Sequence, residues 1–427
     1  GWRSAMQVST CSVDELKHTS VVAPKDLEAT TAESYYTEAS SYSVDAPRNA
    51  GGWAGKIDVG STAAAGSGLG LLGQSIALTD LLSALNVMVS TVEHSDVAGA
   101  IGGLSVRANG TAKTAEGVKP IGHAGGFAGV LAGGHVQDSN VSEFDYVVGR
   151  ESAGGYAGTM TPGDVASVLG KENAASIINN LINVDSLLSL VQDFVPTVRN
   201  SYTECVPCGG AVRAEAEASG STQRGCAGGY VGMLDGGHIW GNDTRAWKDV
   251  SVGASYSGDQ NVAAARRIRS VFGTEFAGGY VGLMKPSDTA SAGGLSLLGG
   301  LIKAGNLVST LSMVYPTTEN TEVSGPLRGI DIATFESWVE HVSKYDAYGQ
   351  EFADIIEKLK DKAITTQDQL DTALAKYVFG YNVVAGRASY GNGSLEHAGG
   401  MAGGYVGLMR TGTVSNGQAY DTKLVRA

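Results

Sequence analysis

The sequence predicts a mainly β protein, a repeat-built β-solenoid or β-helix that carries helical inserts. Three observations lead to that prediction. Glycine supplies 61 of the 427 residues, roughly double its usual share, without a collagen-like period. A motif of the form A-G-G-aromatic-x-G recurs six times. Between its copies, runs such as "LSVRANGTAK" and "AVRAEAEASG" alternate apolar with polar residues, the pattern of a strand with one buried face.

The motif copies are "AGGWAG" from Ala50, "AGGFAG" from Ala124, "AGGYAG" from Ala153, and "AGGYVG" from Ala227, Ala277 and Ala402. Their aromatic position holds Trp53, Phe127, Tyr156, Tyr230, Tyr280 and Tyr405. A unit of this size cannot bury its own apolar face, so the copies are expected to stack, each aromatic on its equivalent one layer away. The glycines are expected at sharp corners with positive φ, and where one layer's backbone presses on the next.

Alternate copies differ in their downstream segments. The first, third and fifth lead into long apolar inserts, of which the first and third align without a gap, placing Leu81 on Leu307 and Glu93 on Glu319. The middle insert joins them with Pro196 on Pro316. Its apolar positions Ile178, Leu181, Ile182, Leu188, Val191 and Val195 have helical spacing and predict an amphipathic helix laid along the solenoid. The second and fourth copies lead instead into short turns, "LAGGHVQ" and "LDGGHIW", with His135 and His238 in register and Thr413 in the same place after the sixth.

The expected organisation is therefore an N-terminal strand layer or cap over 1–49, succeeded by repeat units over 50–152, 153–276 and 277–427. The third unit carries a charged, amphipathic helical insert at 326–380, where Thr366 and Gln369 have capping-box spacing. Insertions into repeat arrays often emerge on the binding face, so this block is expected to meet a partner.

Charge narrows the function. A net charge of −13, with no basic run beyond "RRIR" at 266–269, excludes nucleic acid as a partner. The most membrane-like run, 295–314, is interrupted by Lys303 and Asn306 and reads as a buried helix without membrane insertion. The chain opens on "GWRSAMQVST", which has no signal-peptide pattern and reads as mature or cut from something longer.

Gly68, Gly70 and Gly73, with Glu93 twenty residues on, match a dinucleotide fingerprint. The equivalent insert replaces the middle glycine with Ser296, so the repeat accounts for these glycines and no cofactor is expected. His135 and His238 fall a layer or more apart and read as turn residues, with no metal site. No catalytic residue is assigned, because G-x-S-x-G, H-E-x-x-H and EF-hand patterns are all missing. The alternative is a β-helix polysaccharide lyase or glycosidase, whose acids come from distant strands. Of the four cysteines, Cys205, Cys208 and Cys226 are the disulfide candidates, Cys226 bonding Cys205 or Cys208 in an exported protein. A zinc site would need Cys11 or a histidine as its fourth ligand.

The "AGGYVGLM" copies and their "GGFAGVL" variant resemble the glycine-rich motifs called GLUG, found in repeat-built surface proteins of Gram-positive and some other bacteria. The resemblance covers the six motifs and their flanks, about half the chain. It implies an extracellular, cell-surface protein with a structural or adhesive task and no catalytic residues. Its partner would be a host protein or glycan, or copies of itself in a filament.

Overall fold

The computed structural model describes residues 2–4, 7–13, 42–59, 89–99, 103–114, 117–163, 194–205, 210–215, 225–241, 263–266, 270–287, 315–325, 332–333, 335–336, 353–374, 381–391, 394–398 and 400–427. The amphipathic stretch 178–191, the run 295–314, the glycines at 68, 70 and 73, Cys208 and much of 326–380 lie outside them.

The described chain is mainly β. Its strands form large parallel sheets of six, seven and sixteen strands, together with two antiparallel hairpins, Thr111–Thr114 with Gly117–Pro120 and Arg387–Gly391 with Ser394–Ala398. The six-stranded sheet is built from the start of each motif copy. Asn49–Gly51, His123–Gly125, Ser152–Gly154, Cys226–Gly228, Phe276–Gly278 and Met401–Gly403 lie side by side in chain order, alanine beside alanine and glycine beside glycine. Each motif copy therefore marks one layer.

The residues just after the aromatic build the seven-stranded sheet, from Ala54–Asp58 through Ala128–Ala132, Ala157–Thr161, Val231–Asp235 and Val281–Lys285 to Val406–Met409. The sixteen-stranded sheet takes the rest of each layer. Ahead of the first layer, Trp2–Ser4 pairs with Ala54–Asp58, Gln7–Val13 with Thr91–Ala98, and Tyr42–Ala46 with Leu104–Ala108.

Glycine has two separate uses here. In the second and fourth layers the chain turns into the sixteen-stranded sheet through Gly133–Gly134 and Gly236–Gly237, whose φ values are +72°, +88°, +73° and +107°. The motif glycines do not adopt positive φ, contrary to expectation, although the chain does bend at the second glycine and the aromatic of each copy, between its strands of the six- and seven-stranded sheets. Their missing side chains allow close approach: a Cβ on Gly154 would sit 2.0 Å from the Ala157 carbonyl oxygen and 2.6 Å from that of Tyr230. In the first, third and fifth layers the double-glycine corner is replaced by the long inserts.

The core lies between the sheets and is threaded by one aromatic column. Trp53, Phe127, Tyr156, Tyr230, Tyr280 and Tyr405 stack in that order, with centroids 5.4, 5.0, 4.9, 4.8 and 5.0 Å apart and planes within 8° of parallel. Their backbones continue the contact, the Tyr156 amide donating to Tyr230 and the Tyr230 amide to Tyr280, each at 2.9 Å. The buried tyrosine hydroxyls find acceptors on the layer before their own. Tyr156 donates to the Ser139 carbonyl at 2.8 Å, Tyr230 to Ser201 at 2.7 Å and Tyr280 to Ala263 at 2.8 Å, which meets the requirement that a buried hydroxyl be paired.

Of the helical insert, α1 (Ala353–Lys360) and α2 (Gln367–Leu374) are described. Ile355, Leu359, Leu370 and Leu374 are buried, so the two helices pack through apolar faces. At the start of α2 the Gln369 side chain accepts from the Thr366 amide at 3.2 Å and the Thr365 amide at 2.8 Å, the reaching-back half of a capping box.

Candidate functional site

Where each layer enters the sixteen-stranded sheet, the chain repeats a second pattern. Thr91, His135, Thr197, His238, Thr317 and Thr413 share one column. Two residues further on, Glu93, Gln137, Arg199, Trp240, Glu319 and Ser415 share another. Between them Val92, Val136, Val198, Ile239 and Thr318 are buried. Period-two alternation thus turns both polar columns to the same outer face. Together they line a groove of about 800 Å³ that runs from the first layer to the sixth.

The two imidazoles are held alike. His135 Nδ1 lies 2.7 Å from Thr197 Oγ1, and His238 Nδ1 lies 2.6 Å from Thr317 Oγ1. Burial lowers the pKa of His238 to about 4, and burial, with a smaller contribution from the nearby Arg199, lowers that of His135. Both rings are accordingly neutral at neutral pH. Trp240 is fixed by its neighbours, the Arg199 guanidinium lying 4.6 Å from its ring centroid and the His238 ring stacking at 5.0 Å.

One residue beyond the second column the backbone turns through left-handed conformations. His94, Asp138, Asn200, Asn320 and Asn416 have φ between 47° and 52°, and Gly241 holds the same place in the fourth layer. Asn and Asp tolerate that region because their short polar side chains bond locally. Polar groups at this corner satisfy one another across layers. Ser139 Oγ accepts from the Ser95 amide at 3.1 Å, Ser201 Oγ accepts from the Ser139 amide at 3.1 Å, and Asn416 donates to Asn320 at 3.0 Å.

The groove differs from that corner. Among the described residues, the side chains of Glu93, Arg199 and Glu319 make no hydrogen bond or ion pair, and neither histidine Nε2 has a partner. Within the described residues, polar capacity is left over on this face.

Sequence reasoning finds only part of this second repeat, the register of His135, His238 and Thr413. Its six copies are "TVEHSD", "HVQDSN", "TVRNSY", "HIWGND", "TTENTE" and "TVSNGQ". Inserts of unequal length precede three of them and hide the register, although the superposition of Glu93 on Glu319 already contains it. His135 and His238 open strands and are not turn residues. A layer holding Thr197 separates them, so their backbones stand two strand spacings, about 10 Å, apart. Among the described residues no group of metal-binding side chains is assembled.

A second cluster has the composition of a hydrolytic triad. His123 Nδ1 lies 2.8 Å from Ser152 Oγ, and His123 Nε2 lies 3.5 Å from Glu151. Ser152 is completely buried and its hydroxyl also bonds Thr159 at 2.7 Å, so no substrate reaches it; the cluster joins two layers. No disulfide is seen among the described residues, in which Cys205 and Cys226 are both buried. Cys205 lies in the main core, whereas Cys226 belongs to a small cluster with Phe276 and Leu283, so the two side chains face different surroundings.

The chain matches no family model, no curated protein and no solved structure.

Proposed function

We propose that this chain is a β-solenoid of the extracellular cell surface, non-catalytic, with a structural or adhesive task. The observation that carries the proposal is the aromatic column with its flanking ladders: six layers in unbroken register commit the repeated residues to stacking and, among the described residues, leave one outer face with unused polar capacity. Such an array makes a stacked scaffold on which inserts such as α1 and α2 are displayed to a partner, either a host protein or glycan or another copy of the chain. The GLUG-like motif supports the same reading.

The polysaccharide lyase or glycosidase alternative needs paired acids. Glu93 and Glu319 share a column but stand four strand spacings apart, about 19 Å, beyond the roughly 5 to 9.5 Å at which carboxylates cooperate in glycoside cleavage. Beads coated with the full chain should be retained on immobilised glycans or matrix proteins above the level of uncoated beads, without release of reducing ends from soluble polysaccharides. Equal retention of coated and bare beads would sink the adhesive reading, and release of reducing ends would replace it with an enzyme. Sedimentation across a concentration series tests the filament form, which requires mass to grow with concentration.

A further inference from the structure

We infer that the groove along the Thr/His and Glu/Arg/Trp columns binds an extended, uncharged oligosaccharide lying parallel to the stacking direction. The inference rests on the adhesive reading and names its ligand class. Three features of the face point to it.

The first is unused hydrogen-bonding capacity in a row. Glu93 offers acceptors in the first layer, Arg199 donors in the third, and Glu319 acceptors in the fifth, while His135 and His238 each present an Nε2 from the second and fourth. A polyhydroxylated chain both donates and accepts at every residue, so it can satisfy carboxylates, guanidinium and neutral imidazoles in turn. Strand spacing repeats these groups about every 4.8 Å along the groove, which suits a polymer better than a compact ligand.

The second is charge. With both imidazoles neutral, the row carries two carboxylates and one guanidinium on a chain of net charge −13. A polyanion would meet Glu93 and Glu319 at either end, and a polycation would meet Arg199 between them. An uncharged chain meets neither repulsion.

The third is a fixed aromatic in mid-groove. Trp240 already packs against Arg199 and His238, so its indole is set in place before a ligand arrives, and little side-chain entropy is lost on binding. A peptide is the competing ligand. A peptide added as a strand needs main-chain bonds to an open sheet edge, and the strands of the second to fifth layers beneath this groove are already paired on both sides.

Calorimetric titration of the full chain with uncharged gluco-, manno- and xylo-oligosaccharides and with oligogalacturonate tests the inference. At least one uncharged series should bind, more tightly with length up to the span of the groove, and with little dependence on salt. Trp240→Ala and Arg199→Gln should each weaken binding at least tenfold, while Arg213→Gln, on a different strand of the large sheet, should leave it unchanged. Circular dichroism of each variant controls for folding, and Glu319→Gln supplies a conservative second probe should Trp240→Ala unfold. Binding of oligogalacturonate alone, binding unaffected by the groove variants, or no binding by any series would overturn the inference. Bead retention separates the two levels: coated beads that still adhere when carrying Arg199→Gln leave the adhesive reading standing and remove the groove, whereas loss of all adhesion in the wild-type chain removes both.

Discussion

At the scale of single residues, the column tyrosines do two things that can be separated. Tyr230 stacks on Tyr156 and Tyr280 and donates its hydroxyl to Ser201. Tyr230→Phe keeps the ring and leaves a buried carbonyl unpaired, and should lower stability by about 1 to 3 kcal/mol in a denaturant titration. Tyr230→Ala also removes the ring and opens a cavity between two layers, and should cost about 3 to 5 kcal/mol. Near-equal losses would mean that stacking contributes little beyond the hydrogen bond. His238 gives a pH dependence of definite sign. Its pKa is held down to about 4 by burial, against 6.5 for an ordinary histidine. Above pH 6.5 the ring is neutral in folded and unfolded chains alike. As pH falls from 6.5 towards 4 the unfolded chain takes up a proton that the folded chain refuses, so stability declines, and below 4 this contribution levels off. His238→Thr places at this position the residue that Thr197 and Thr317 already supply in the adjoining layers. That variant should fold and should show a shallower loss of stability between pH 6.5 and 4; an unchanged slope would assign the dependence to other groups.

At the scale of elements, the corner between the seven-stranded and sixteen-stranded sheets is the informative one. The fourth layer crosses it through Gly236–Gly237, whereas the third crosses it by way of a long insert between Thr161 and Thr197. Both routes deliver the chain to the same register, because Thr197 pairs with His238. Replacing 162–196 by Gly-Gly should therefore preserve the strand signature and a cooperative transition, at a lower Tm because the buried Phe194 and Val195 are lost. Failure of that deletion to fold would make the insert part of the core. The double-glycine corner itself does not accept a side chain: Gly237 has φ +107°, and a Cβ there would lie 2.9 Å from Pro196 Cγ. Gly237→Ala should destabilise the chain by more than about 1 kcal/mol, measured as a shift in denaturation midpoint.

At the scale of the whole molecule, each layer is held by its two neighbours, so stability should vary along the stack as in other repeat arrays. Residues 401–426 form a layer that is far more exposed than the motif strands of the second to fifth layers. Amide exchange in the 427-residue chain should therefore be faster at Val406–Met409 than at Ala157–Thr161, and equal protection would deny the layered picture. The sequence alone determined the six motif copies, the aromatic column and the mainly β character, because the A-G-G-aromatic signature is local and a stack of equivalent layers places identical residues above one another. It also held the alternation of long and short corners, visible in the segment downstream of each motif. The positive-φ assignment to the motif glycines failed although the corner is there, since the bend at each copy is made without a left-handed residue and glycine is needed for close approach. Only the tertiary structure decided which outward residues share a face. Glu93, Arg199 and Trp240 are separated in the chain by inserts of unequal length, and they meet in one column only because parallel pairing resets the register at every layer. The groove is a property of that register, which single-chain spacing does not encode.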